Sequence, residues 1–76
     1  MSAGRRHYRA GPSPREREVL ATIARYNRTG IEPTRSQVAA DLDMASRTVN
    51  GHISGLQAAG LLAGYWVTSE GEAVLS

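Results

Sequence analysis

The sequence contains no cysteine and no lysine, and no apolar run in it approaches the length of a membrane span. Without cysteine there is no disulfide framework and no thiolate zinc site. A spanning helix needs about 20 consecutive apolar residues. No signal-peptide pattern opens the chain either. These absences lead us to expect a soluble cytoplasmic chain with no membrane partner. The two histidines have neither cysteines nor paired carboxylates beside them in a metal-binding spacing. Serine, histidine and aspartate are all present, but no spacing sets a nucleophile beside a base. Neither an enzyme nor a cofactor is expected, and no small-molecule effector is evident.

What is present is a chain of 76 residues, 41% of them hydrophobic. That supports one small core of marginal stability. The net charge is +2 and unevenly placed. Residues 1–11 hold Arg5, Arg6 and Arg9 and no acid, which gives +3, while residues 12–76 hold six arginines against seven acids, which gives −1. A short basic arm on a near-neutral domain is a common nucleic-acid arrangement. The plainer reading is a solvated tail. We divide the chain into a flexible basic arm, 1–11, and a folded domain, 12–76.

Capping signals place the helices. Ser13, Pro14 and Glu16 predict an N-terminus, and a helix over 14–28 follows. Val19, Leu20, Ile23, Tyr26 and Asn27 form its inward stripe, which Asn27 alone breaks. Gly30 ends it. Ile31 is expected to plug the core. Thr34 to Gln37 form a second capping box, opening a short helix over 35–42 with Val38, Ala39 and Leu42 inward. Asp43 and Met44 make a turn, Met44 buried. A third helix runs over 46–59 on Val49, Ile53 and Leu56, and Gly60 stops it. Leu61 and Leu62, a turn at Gly64, and the bulky run Tyr65-Trp66-Val67 predict a minimal β-hairpin. Tyr65 and Trp66 are expected to pack under the first helix; an exposed Trp66 would instead mark a dimer or partner surface. Ser69 to Glu72 read as a third capping box for a last helical turn.

The third helix has an unusual outward face. At about 100° per residue, Arg47, Asn50, Gly51, Ser54 and Ala58 lie opposite Val49, with Thr48 and Gly55 at the edge. The face is small, polar and nearly uncharged, whereas a solvated face usually carries Glu and Lys. Each interior glycine costs roughly 1 kcal/mol relative to alanine. Small residues let a helix approach a groove closely, and Arg and Asn supply paired hydrogen bonds, Arg to guanine O6/N7 and Asn to adenine N6/N7. The competing explanation is helix–helix packing, because glycines four apart also permit that.

The second and third helices are joined by a three-residue turn, the spacing of a helix-turn-helix. The stretch "SPREREVLATIARYNRTGIEPTRSQVAADLDM" resembles the N-terminal DNA-binding domain of LexA repressors. "LDMASRTVNGHISGLQAAGLL" resembles the recognition segment of MarR-type regulators, and "VTSEGEAVL" the strand-to-helix junction after their wing. The resemblance covers residues 12–75. It implies a mainly α fold with a small β-hairpin: a winged helix-turn-helix with a three-helix core, a minimal wing and a short C-terminal helical turn. It further implies that Ser46, Arg47, Thr48, Asn50, Gly51 and Ser54 contact bases. Thr34, Arg35, Ser36 and Gln37 would meet phosphates, helped by free N–H groups at the helix start.

The sequence departs from that pattern in places. Asp43 replaces the usual turn glycine, at small cost because Asp tolerates a left-handed backbone. Ala45 stands where a capping Ser or Thr is common, so Ser46 is an alternative cap. His52 replaces an aliphatic residue and reads as a half-buried rim residue, with a DNA or pH-sensing role as the alternative. The wing has no basic tip, which leaves groove or backbone contact to Arg5, Arg6 and Arg9. No LexA-type protease half and no long MarR-type dimer helices are seen.

The expected function is sequence-specific binding of double-stranded DNA by a small bacterial or bacteriophage transcriptional regulator, such as a repressor, in the cytoplasm at the nucleoid. Two alternatives stay open. One is an architectural, excision-type factor that bends DNA. The other is a protein-interaction winged helix, which the near-neutral body favours. A homodimer is also open, through Trp66 and the C-terminal turn or formed only on DNA.

Overall fold

A computed structural model describes residues 11–76. In chain order the elements are α1 (Pro14–Arg28), α2 (Arg35–Leu42), α3 (Ser46–Ala58), β1 (Leu62–Ala63), β2 (Trp66–Val67) and α4 (Ser69–Leu75). Together they make a compact, mainly helical domain with one two-stranded antiparallel hairpin. Arg5, Arg6 and Arg9 lie outside the described residues.

The first two helices start as their sequences predict. Ser13 Oγ accepts the Glu16 N–H at 3.2 Å, and Glu16 Oε1 accepts the Ser13 N–H at 2.9 Å. In α2 the same exchange links Thr34 and Gln37 at 3.1 and 2.8 Å. Each box satisfies donors that a helix start leaves unpaired.

Three helices end in one way. A residue with left-handed backbone follows each: Gly30 at φ 79°, Asp43 at φ 55° and Gly60 at φ 81°. Two reverse bonds close each end. Ile31 N–H reaches Tyr26 O, Met44 N–H reaches Ala39 O, and Leu61 N–H reaches Leu56 O, at 2.9–3.1 Å. The inner bonds are Gly30 to Asn27, Asp43 to Ala40 and Gly60 to Gln57. This closure satisfies the last carbonyls and turns the chain sharply. It makes the α2–α3 joint just Asp43, Met44 and Ala45.

The core gathers Val19, Leu20 and Ile23 from α1, Val38 and Ala39 from α2, Val49, Ile53 and Leu56 from α3, and Leu61 and Leu62. Leu42, Met44, Tyr65, Val67, Val74 and Leu75 are partly buried against it. Thr22 and Ala24 are also buried, although the apolar stripe of α1 does not include them.

Several expectations need correction. Ile31 is 47% exposed rather than a core plug. Its N–H is committed to closing α1, and Pro33 is buried in that connector instead. Trp66 is 40% exposed rather than packed under α1. Side chains alternate along a strand, and with Tyr65 and Val67 packed against the core, Trp66 between them faces out. Ser46 does not cap α3. Ala45 occupies the N-cap with extended backbone and no side-chain bond, and its carbonyl accepts the Val49 N–H at 3.1 Å. That helix ends at Ala58, with Ala59 as its cap.

The hairpin and α4 also differ in register. Leu61 stays outside the strands because its N–H closes α3; β1 and β2 pair Leu62 with Val67 and Ala63 with Trp66 around a Gly64–Tyr65 turn. The last helix is capped by Thr68, not Ser69, so the Ser69–Glu72 box does not form. Thr68 N–H is held by Leu61 O at 3.1 Å. Its Oγ1 donates to Gly60 O at 2.7 Å and accepts the Gly71 N–H at 3.1 Å. Backbone pinning at Thr68 thus fixes where α4 begins.

Candidate functional site

The residues singled out on the third helix fall on one exposed surface of α3. Ser46, Arg47, Thr48, Asn50, Gly51 and Ser54 are all exposed, while Val49, Ile53 and Leu56 hold the opposite side in the core. His52 is half-buried at the rim. Residues 44–69 contain one arginine and no carboxylate. Arg15 pairs with Glu18 at 3.0 Å, while the Arg47 guanidinium has no carboxylate partner among the described residues.

Helix α2 brings its N-terminus beside this surface. Thr34, Arg35, Ser36 and Gln37 are exposed. The Thr34 hydroxyl and the Gln37 carbonyl are occupied by the capping box. That leaves Gln37 Nε2, the Ser36 hydroxyl and the backbone N–H groups of Arg35 and Ser36 without a hydrogen bond among the described residues. The two helices touch through side chains here: Arg35 Nη1 donates to Asn50 Oδ1 at 3.4 Å. The uncapped start of α3 adds its own N–H groups beside the Ser46 and Thr48 hydroxyls. Unpaired donors at helix starts, with two arginines and no acid, favour a partner rich in acceptors and negative charge.

Gly51 is decisive about the shape of this surface. A Cβ built on it meets nothing within 4 Å. Among the described residues, then, no helix packs there, and internal close packing does not account for that glycine. The cost of a glycine inside a helix is met here without any compensating contact inside the domain.

The hairpin is anchored by three residues that the sequence alone did not single out for that role. Asn27 Oδ1 accepts the Val67 N–H at 2.9 Å, and its Nδ2 donates to Tyr65 O at 3.1 Å and to Ile31 O at 3.0 Å. Glu32 Oε2 accepts the Tyr65 N–H at 3.1 Å. Gln57 Nε2 donates to Gly64 O at 3.0 Å. The available signal was Asn27 itself, a polar residue in an apolar stripe, which has to find partners when partly buried. Elsewhere, the Asp41 carboxylate accepts the Tyr26 hydroxyl at 2.8 Å and holds that phenol above the ordinary tyrosine range.

Among the described residues no group of three or more His, Cys, Asp and Glu side chains is arranged to hold a metal ion. No described helix is long and apolar enough to cross a membrane. Comparison with known proteins finds no matching family model, no matching relative and no matching solved structure.

Proposed function

We propose that this chain is a winged helix-turn-helix domain that binds double-stranded DNA sequence-specifically, as a small transcriptional regulator does. In this reading α3 enters the major groove with Ser46, Arg47, Thr48, Asn50, Gly51 and Ser54 toward the bases. Thr34, Arg35, Ser36 and Gln37 face the phosphates, and Arg5, Arg6 and Arg9 reach an adjacent groove or the backbone. Three helices followed by an antiparallel hairpin are compatible with such a fold.

The observation that carries the proposal is the open space at Gly51 on an exposed, carboxylate-free helix face. A missing side chain that serves nothing inside the domain makes sense as clearance for an outside surface. The major groove is wide enough to admit an α-helix, and its base edges offer acceptors to Arg and Asn.

A second reading is favoured by a different observation. Trp66 is exposed on the hairpin, and residues 12–76 carry a net −1. Both suit a protein-interaction module better than a polyanion binder.

The test is selection from a random-sequence duplex pool at low and near-physiological salt, with Arg47→Ala and Asn50→Ala run in parallel. One enriched motif, with base preference lost at a particular position in each variant, supports direct reading by α3. Weak, salt-sensitive, motif-free binding by the wild type overturns it in favour of a protein partner.

A further inference from the structure

Arg35 and Asn50 are fifteen positions apart and lie on different helices, yet their side chains meet. Arginine has donors only. The atom that Asn50 turns toward Arg35 is therefore its carbonyl oxygen, and its Nδ2 is the end left free. At 3.4 Å the bond is long, so its effect is to orient the amide rather than to hold the helices together. Both side chains are exposed and neither is tied to another described partner.

This orientation changes what Asn50 can read. A free asparagine pairs with adenine by accepting from N6 and donating to N7. Here one of the oxygen's two lone pairs is engaged by a guanidinium, and the positive charge beside it disfavours the donor that adenine N6 would bring. The pair presents donors: Asn50 Nδ2 and the remaining Arg35 N–H groups. Guanine offers two acceptors in the major groove, N7 and O6, whereas adenine sets a donor beside its N7 and cytosine offers a donor.

Resting on the DNA-binding reading above, we infer that Arg35 is a specificity-determining positioning residue as well as a phosphate contact, and that the Arg35–Asn50 pair selects guanine over adenine at the base pair facing Asn50. Arg35 thereby couples backbone contact to base choice.

The experiment is the same duplex selection performed on the full chain and on Arg35→Ala, Arg35→Lys and Asn50→Ala. Asn50→Ala identifies the position, as the one at which base preference is lost. The wild type should hold guanine there. Arg35→Ala frees the Asn50 oxygen and should shift the guanine-to-adenine ratio toward adenine at that position alone, on the order of tenfold. Arg35→Lys keeps the charge but lacks the planar fork, so it should shift the same preference while retaining more of the affinity. Two results overturn the inference while leaving DNA reading intact. One is adenine at that position in the wild type. The other is uniform weakening in Arg35→Ala with base preference unchanged, the mark of a phosphate contact only. Absence of any enriched motif for the wild type overturns the DNA reading and the inference with it.

Discussion

Asn27 Oδ1 accepts the backbone N–H of Val67 at 2.9 Å, across forty positions of sequence. With its Nδ2 shared between Tyr65 O and Ile31 O, this one amide joins the end of α1, the connector and the hairpin. The Val67 and Tyr65 groups are partly buried, so losing the amide strands donors and acceptors away from water. Leaving such groups unpaired costs about 1–3 kcal/mol. Asn27→Ala should lose stability in that range in urea unfolding, and Asn27→Leu should not recover it. A loss within a few tenths of a kcal/mol for both would show that water replaces the amide readily.

Gly71 is buried, and a Cβ there collides with the Leu61 carbonyl oxygen and comes within 2.7 Å of Val67 Cγ1. That carbonyl already accepts the Thr68 N–H, so it has little room to move. Gly71→Ala should therefore destabilise, by about 1–3 kcal/mol as overpacking does, despite alanine's better helix propensity. Thermal unfolding checks the sign. A stabilised variant would mean that α4 shifts freely on the hairpin.

The different fates of these features explain how much the sequence disclosed. Ser13–Glu16 and Thr34–Gln37 act over three residues, so spacing alone reveals both caps. Gly30, Asp43 and Gly60 mark helix ends for the same local reason. The last cap falls at Thr68, one residue before the spacing predicts, because its position depends on a bond to Leu61, seven residues back. Ile31 and Trp66 are apolar, and composition sends them inward; a helix closure and a strand register turn them out. On the candidate site, the polar face of α3 was legible from helical spacing. Its contact with Arg35 was not, because two helices must pack before those side chains meet. The sequence could pose the question of Gly51 but could not tell internal packing from an empty outside surface.

Tyr26 gives a prediction in pH. Its hydroxyl donates to Asp41 Oδ2, and this raises its pKa above the ordinary value near 10. A group whose folded pKa is raised contributes stability that is fully present below its unfolded pKa. That contribution is lost as pH rises through the folded pKa. Any stabilisation from this bond should thus be constant through neutral pH and fade only above about pH 10. Tyr26→Phe should remove that alkaline dependence. Spectrophotometric titration of the tyrosines, with and without Tyr26, checks it; an unchanged high-pH titration would contradict the bond.

Arg5, Arg6 and Arg9 carry the positive excess of the chain. If they contact phosphate, each contact adds roughly 0.9 to the slope of log affinity against log salt. Replacing all three by alanine should weaken DNA binding and flatten that slope, leaving the preferred motif on α3 intact. Titrations at several salt concentrations measure both. Equal affinity and slope would remove the arm from the interface and leave α2 and α3 as the whole of it.

Gly51→Ala separates the fold from its use. With nothing within 4 Å of the added Cβ, the variant keeps its contacts and gains helix propensity, up to about 1 kcal/mol. Its melting temperature should rise. Its DNA affinity should fall, because the new methyl group occupies the clearance between α3 and the groove floor. The two effects have opposite signs, so loss of binding cannot be blamed on unfolding. A variant that is more stable and binds equally well would break the link between this glycine and DNA. A second copy of the chain or another protein on the same face would then be the next partner to test, by looking for a complex that Gly51→Ala weakens.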